Sequence, residues 1–178
     1  MIRAVLIGAA ALLLAGCSSR PDLDQQLGGP DLVLEEYFDG DLVAFGQFQD
    51  RFGTVRRRFK VDIEGEWDGT TLTLVEDFTY EDATTERRVW TLTKTGPNTW
   101  TGTAPGVIGT ATGEIRGDAF NWRYTIDLPI GEGETLRATF DDWMWRFDET
   151  RLLNRAYMSR FGVRIGEVII FFERLETD

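Results

Sequence analysis

From Asp39 onward the chain repeats one pattern: short stretches of alternating apolar and polar residues, cut at roughly ten-residue intervals by turn-forming groups. The turns fall at Phe52-Gly53, Asp68-Gly69, Glu81-Asp82-Ala83, Gly96-Pro97-Asn98, Pro105-Gly106, Gly117-Asp118, Gly131-Glu132-Gly133, Asp148-Glu149 and Phe161-Gly162. A period of two sends one face of each stretch to a core and the other to water, as half-buried strands require. Ten strands are predicted, at 42–50, 54–66, 71–80, 86–94, 99–103, 108–116, 119–128, 135–147, 151–160 and 163–174. Strands joined in order by tight turns form an antiparallel meander, and a long meander curls closed, which removes its edges. The predicted fold is all-β, an antiparallel up-and-down barrel of about 8–10 strands; a flat sandwich is the competing arrangement. One segment is ambiguous. Asp148 to Arg160 has helix formers, an acidic start and Gly162 as a stop, whereas the hairpin that Val163 to Phe172 would complete around Phe161-Gly162 favours a strand.

A different kind of segment precedes this pattern. Arg3 supplies a positive start, Ala4 to Leu14 form an apolar run, and Leu14-Ala15-Gly16-Cys17 closes it with small residues. The run suits a secretory signal and is too short to span a bilayer. It resembles the lipobox of bacterial lipoproteins, whose cysteine is diacylated by chains such as palmitate and becomes the mature N-terminus. Cys17, the chain's one cysteine, is the expected lipidation site. The expected organisation is a lipoprotein signal peptide at 1–16, an acylated N-terminus and flexible tether at 17–31, and a barrel domain at 32–178. Pro21, Gly28, Gly29 and Pro30 mark the tether, and Leu32 to Phe38 is a lead-in segment suited to cover one end of the fold. Each buried CH2 contributes about 0.8 kcal/mol, so one acyl chain anchors marginally and two or three anchor firmly.

Composition then removes most chemistries. The formal net charge of -11 opposes nucleic acid as a partner and leaves attachment to the acyl chains. A single cysteine permits no disulfide within the chain, so the core of a domain of about 160 residues stands by packing alone. There is no histidine, and the serines are Ser18, Ser19 and Ser159. That excludes Ser–His and Cys–His nucleophiles and zinc sites built on His or Cys. No phosphate-binding glycine loop opens a helix. No cofactor or metal site is expected. Asp141 and Asp142, adjacent on a strand, point to opposite faces and form no acid/base pair, so an enzyme is the less favoured class.

Charged residues nevertheless interrupt the apolar faces. Arg57 shares a face with Val55, Phe59, Val61 and Ile63; Glu76 and Tyr80 with Leu72, Leu74 and Phe78; Arg88 with Trp90 and Leu92; Asp142 with Leu136, Ala138 and Phe140. The turn at Asp68-Gly69 sets Arg57 roughly opposite Tyr80. The turn near Asp82-Ala83 sets Arg88 opposite Phe78 or Tyr80, diagonal to Glu76. Two explanations stand. Interior charges avoid the cost of desolvation by pairing, so Glu76 and Asp142 can neutralise the arginines in a structural network. Alternatively, Arg57 and Arg88 hold the anionic head of a ligand, since guanidinium suits carboxylate and phosphate. Trp90, Trp100, Trp122, Trp143 and Trp145, with Phe120 and Tyr124, are either cavity lining or ordinary packing.

Glu36-Tyr-Phe-Asp-Gly40, Arg57-Arg-Phe59, Glu76-Asp-Phe78, Arg87-Arg-Val-Trp90, Asp141-Asp-Trp-Met144, and Asn154-Arg155 followed by Arg160-Phe-Gly162 occur in this order. Together they resemble a family of Gram-negative lipoproteins catalogued as domain of unknown function 3833, from about Leu34 to the C-terminus. The resemblance implies a lipobox and a lipocalin-like barrel, with no established activity or catalytic residue. In enteric bacteria Ser18, rather than Asp, after the acylated cysteine would imply the outer membrane, facing the periplasm. The leading expectation is an envelope lipoprotein whose barrel binds a lipid-like anionic or apolar small molecule, at Arg57, Glu76, Tyr80, Arg88, Trp90 and Asp142. A structural lipoprotein with a filled barrel is the alternative. A carboxylate-dependent enzyme is the third, and it requires Glu76 or Asp142 to face a cavity with a raised pKa. No protein partner is indicated.

Overall fold

A computed structural model describes residues 20–24, 28–131 and 133–175; the expected signal peptide and Cys17 lie outside them. Ten strands follow one helical turn, α1 (Leu34–Tyr37). They are β1 (Gly40–Asp50), β2 (Val55–Trp67), β3 (Thr71–Tyr80), β4 (Thr85–Lys94), β5 (Thr99–Thr103), β6 (Val107–Arg116), β7 (Ala119–Gly131), β8 (Glu134–Arg146), β9 (Arg151–Arg160) and β10 (Val163–Arg174). Each pairs antiparallel with its neighbours in sequence, and β1 pairs with β10 from Leu42↔Arg174 to Asp50↔Gly166, closing the barrel. That last ladder excludes the sandwich. Residues 151–160 are strand, as the final hairpin requires.

The alternation works as sequence periodicity implies. In β2, Val61, Ile63 and Gly65 are buried while Lys60, Asp62 and Glu64 are exposed. On the outer wall, cross-strand pairs hold the register: Arg87 grips Asp77 through Nε and Nη2 (2.8 and 2.7 Å), and Arg137 grips Asp127 likewise (2.7 and 2.7 Å). Both pairs are open to water and screened by it, so they set register more than they add stability.

The two ends of the barrel differ. One is stoppered by the lead-in segment, whose Leu32, Leu34, Tyr37 and Phe38 are buried; side chains of this size contribute about 1.5–3 kcal/mol each. Leu32 N–H donates to the Gly117 carbonyl (2.8 Å), Tyr37 Oη donates to the Thr150 carbonyl (2.9 Å), and Phe38 meets Phe172 edge-on at 5.8 Å. Gly65 lies directly beneath the Phe38 carbonyl, where a Cβ would collide with the carbonyl oxygen. The other end carries the turns at 51–54, 81–84, 104–106 and 161–162 and the β7–β8 connection, and among the described residues no element covers it. β5 has five residues and pairs β4 only over Thr91–Lys94, so this wall stops short of the open end.

Part of the expected tether contacts the barrel. Gly29 N–H donates to Asp118 Oδ2 (2.9 Å), Asp24 pairs with Arg116, and Arg20 lies 3.8 Å from Asp141 with its guanidinium 4.3 Å from the centre of the Tyr157 ring. Asp118 and Arg116 belong to the stoppered end, and Tyr157 stands three residues from the open end of β9. Residues 20–24 and 28–29 therefore lie against the outer wall.

Candidate functional site

The inward faces enclose a cavity of about 380 Å³, at the small end of the range for ligand pockets, about 300–1,000 Å³. Leu34 and Phe38 form its floor, and Arg57, Tyr80 and Ile130 line it toward the open end. Its walls are aromatic. Tyr124 stacks on Phe140 at 5.1 Å and 4°, and Trp90 meets Tyr124 and Trp122 edge-on at 5.0 and 5.8 Å.

All six expected site residues, Arg57, Glu76, Tyr80, Arg88, Trp90 and Asp142, line this cavity. Their strands converge on it because each occupies an inward position of its pleat. Both register expectations are corrected. Arg88 stands opposite Glu76, and Phe78 stands opposite Glu86, because the β3–β4 turn is centred on Asp82, with Ala83 at φ 62°. The other expectation, Arg57 roughly opposite Tyr80, is two residues off, since Phe59 is the partner of Tyr80, but the Arg57 guanidinium lies 3.4 Å from the Tyr80 ring centre.

Near the mouth, Arg88 Nη2 donates to Glu86 Oε1 (2.6 Å) and Tyr80 Oη donates to Glu86 Oε2 (2.8 Å). Glu86 was not anticipated, although it shares the inward parity of Arg88 and Trp90. Burial raises its carboxyl, but Arg88, the Tyr80 hydroxyl and Arg57 outweigh this and hold it below the usual range. Arg57 bonds to the Thr84 hydroxyl (2.5 Å) and faces Asp82 (3.4 Å). Both expected head-group arginines thus already have partners.

Deeper in, burial dominates. It pushes Glu76 up to about 7 although Arg88 opposes it. Asp142, 7% exposed, is pushed up to about 8 by burial and by its neighbour Asp141. Tyr124 Oη donates to Asp142 Oδ2 at 3.5 Å, the long limit of a hydrogen bond, while Asp142 Oδ1 is buried with no hydrogen-bond partner. At neutral pH Asp142 therefore keeps a proton, and its Oδ1 is closed off from the cavity space. Two arginines, two partly protonated acids and one ionised acid leave the interior close to neutral.

Both deep carboxyls lie above their unfolded values of about 4. Between about pH 4 and 8 the folded state holds more protons than the unfolded one, so stability falls as pH rises through that window. Asp142→Asn is expected to flatten this slope in thermal melts from pH 5 to pH 9, and to exceed the parent at pH 9 by about 1–2 kcal/mol. An unchanged slope would place the extra protons elsewhere.

Of the conspicuous aromatics, Trp90, Trp122, Phe120 and Tyr124 line the cavity. Trp143 and Trp145 do not, because they alternate with the inward Asp142 and Met144 and take the outer face. Trp100 packs against Trp67 at 5.6 Å, outside the cavity lining.

A closed antiparallel barrel, stoppered at one end and hollow within, defines a lipocalin-like protein. The chain belongs to the family described as protein of unknown function (DUF3833), whose model matches residues 11–174. Its fold is similar to that of the S-type phycobiliprotein lyase CPES from Guillardia theta, with a TM-score of 0.59, 8% identity, and coverage of 81% of this chain and 92% of that one. No curated protein matches the chain by sequence.

Proposed function

We propose that this is an envelope lipoprotein, anchored to the outer membrane through acylated Cys17 and facing the periplasm, whose barrel carries a lipid-like molecule. Its apolar body lies among Trp90, Trp122 and Phe140, and its polar or acidic end meets Arg57, Arg88 and Asp142. The observation that carries the reading is the cavity of about 380 Å³, largely apolar in its walls and lined also by Arg57, Glu86 and Arg88. A filled structural barrel predicts no such space. The similar fold of a lyase adds only that such barrels occur in proteins that act on other molecules.

Native mass spectrometry tests this on the chain from Ser18 onward, purified from its own envelope extract. A discrete extra mass, lost on denaturation and identified by fragmentation, is the expected result. A clean apo mass that persists in the presence of fatty acids and phospholipids returns the choice to the structural barrel. Arg57→Ala is expected to weaken the identified ligand about tenfold, the worth of one charge-assisted hydrogen bond. Unchanged affinity would remove Arg57 from the site.

A second reading has one observation in its favour: Glu76 and Asp142 face the cavity with raised pKa values, as acid–base chemistry on a bound molecule requires. It predicts that the bound mass changes with incubation and that Asp142→Asn stops the change. Carriage alone predicts a constant mass.

A further inference from the structure

The rim of the open end is apolar well beyond what folding needs. Ten large hydrophobic side chains stand exposed among the described residues, and six of them, Phe52, Val55, Ile108, Ile130, Phe161 and Val163, belong to the strand ends and turns of this one end. Phe52 is 78% and Phe161 92% exposed. Phe161 is also held at φ 51°, with Gly162 at 77°, in a two-residue hairpin turn. That position favours Asn, Asp or Gly, so a phenylalanine there carries backbone strain and gains no burial in return. Among the described residues its ring meets the guanidinium of neighbouring Arg160 and no other aromatic ring.

Basic residues accompany the tips. Arg51 lies with its guanidinium 4.7 Å from the Phe52 ring centre, and Arg160 lies 5.0 Å from that of Phe161. Neither makes an ion pair among the described residues, although the chain as a whole is strongly acidic. Aromatic tips with flanking arginines suit the membrane interface, where the ring enters the acyl boundary and the guanidinium stays among head groups.

The described residues before the barrel bear on the direction. Gly29 is held at the stoppered end, whereas Arg20 lies mid-wall between Asp141 and Tyr157, seven residues from the open end of β8 and three from that of β9. Three residues reach about 10 Å at full extension. Tyr157 to Arg160 spans a similar length of strand, about 10 Å. On the β9 side, three residues beyond Arg20 are thus long enough for an anchor at position 17 to lie level with the rim.

We propose that the open rim docks on the bilayer that receives the acyl chains of Cys17, with Phe52 and Phe161 inserted and the cavity mouth facing the lipid. The inference rests on the lipoprotein reading above. It gives that reading a geometry: an apolar cargo passes between membrane and barrel without crossing water, and the acyl anchor and rim hold one orientation.

The test uses the full chain isolated from membranes and reconstituted into vesicles of phosphatidylethanolamine and phosphatidylglycerol. Acylation leaves Cys17 without a free thiol, so Phe161→Cys or Phe147→Cys supplies the single labelling site, at the open and stoppered ends respectively. Both side chains are exposed, and matching melting temperatures confirm that each variant folds. A fluorophore at position 161 is expected to be quenched by shallow spin-labelled lipid about threefold more than one at 147. Equal quenching, or the reverse order, overturns rim docking. Intact mass reports the lipoprotein reading separately: a Cys17 without acyl chains overturns it. Rim docking is then decided on the Cys17→Ser chain added to the same vesicles, where quenching at Phe161→Cys supports it and none overturns it.

Discussion

Arg88→Met is expected to destabilise the barrel by about 3 kcal/mol at pH 8, near the low end of the cost of removing one partner from a buried ion pair. Methionine keeps most of the volume, so the loss is electrostatic. Arg88 stands across the β3–β4 ladder from Glu76 and donates to Glu86 at 2.6 Å. Without it both acids remain inside with no facing cation except Arg57, which is engaged with Thr84 and Asp82. The loss should be smaller at pH 6, where Glu76, already raised to about 7, takes up a proton. Denaturant titrations at the two pH values check the sign. The double variant Arg88→Met with Glu76→Gln should recover a large part of the loss, because each single change leaves an unmatched charge that the pair does not. A loss independent of pH would mean that Arg88 acts through packing alone.

Gly65→Ala is expected to cost about 3 kcal/mol, at the upper end of the penalty for overfilling a packed site. For a domain of this size that lowers the melting temperature by about 10 °C. The reason is local. The β2 backbone at Gly65 passes directly under the Phe38 carbonyl, and a Cβ there meets main chain, which cannot swing aside as a side-chain tip can. Relief requires lifting Phe38, and with it α1, from the stoppered end. Calorimetry checks the magnitude. A shift below about 2 °C would show that the lead-in segment yields easily.

Strand parity made much of this legible. Alternation alone placed Arg57, Glu76, Tyr80, Arg88, Trp90 and Asp142 on one surface, because a closed meander has only one inside. It did not fix which of them touch. The contact of Arg88 with Glu76 depends on where the β3–β4 turn is centred, and Ala83 in a left-handed conformation is not a pattern that residue types announce. Tyr124 beside Asp142 follows from the β7–β8 register, and the approach of both to Arg88 follows from barrel closure, which brings together strands that never pair. The contact of residues 20–24 and 28–29 with the wall is hidden for another reason. A polar segment with Pro21 and two glycines reads as linker, and single charges such as Arg20 and Asp24 hold it, with no apolar stripe to mark it.

The ladder between β1 and β10 also orders the folding reaction. Every other ladder joins neighbours through a short turn and can form as soon as its two strands exist, whereas Leu42 meets Arg174 only when nearly the whole chain is present. The entropy of that closure falls due before its contacts reward it, which makes it the slow step. Until then Phe45 and Phe171, partners across the seam, lie on two open sheet edges able to recruit other chains. A chain delivered N-terminus first therefore passes through its most aggregation-prone form just before its last strand arrives. A shortened chain that lacks β10 would be left in that form as its end state.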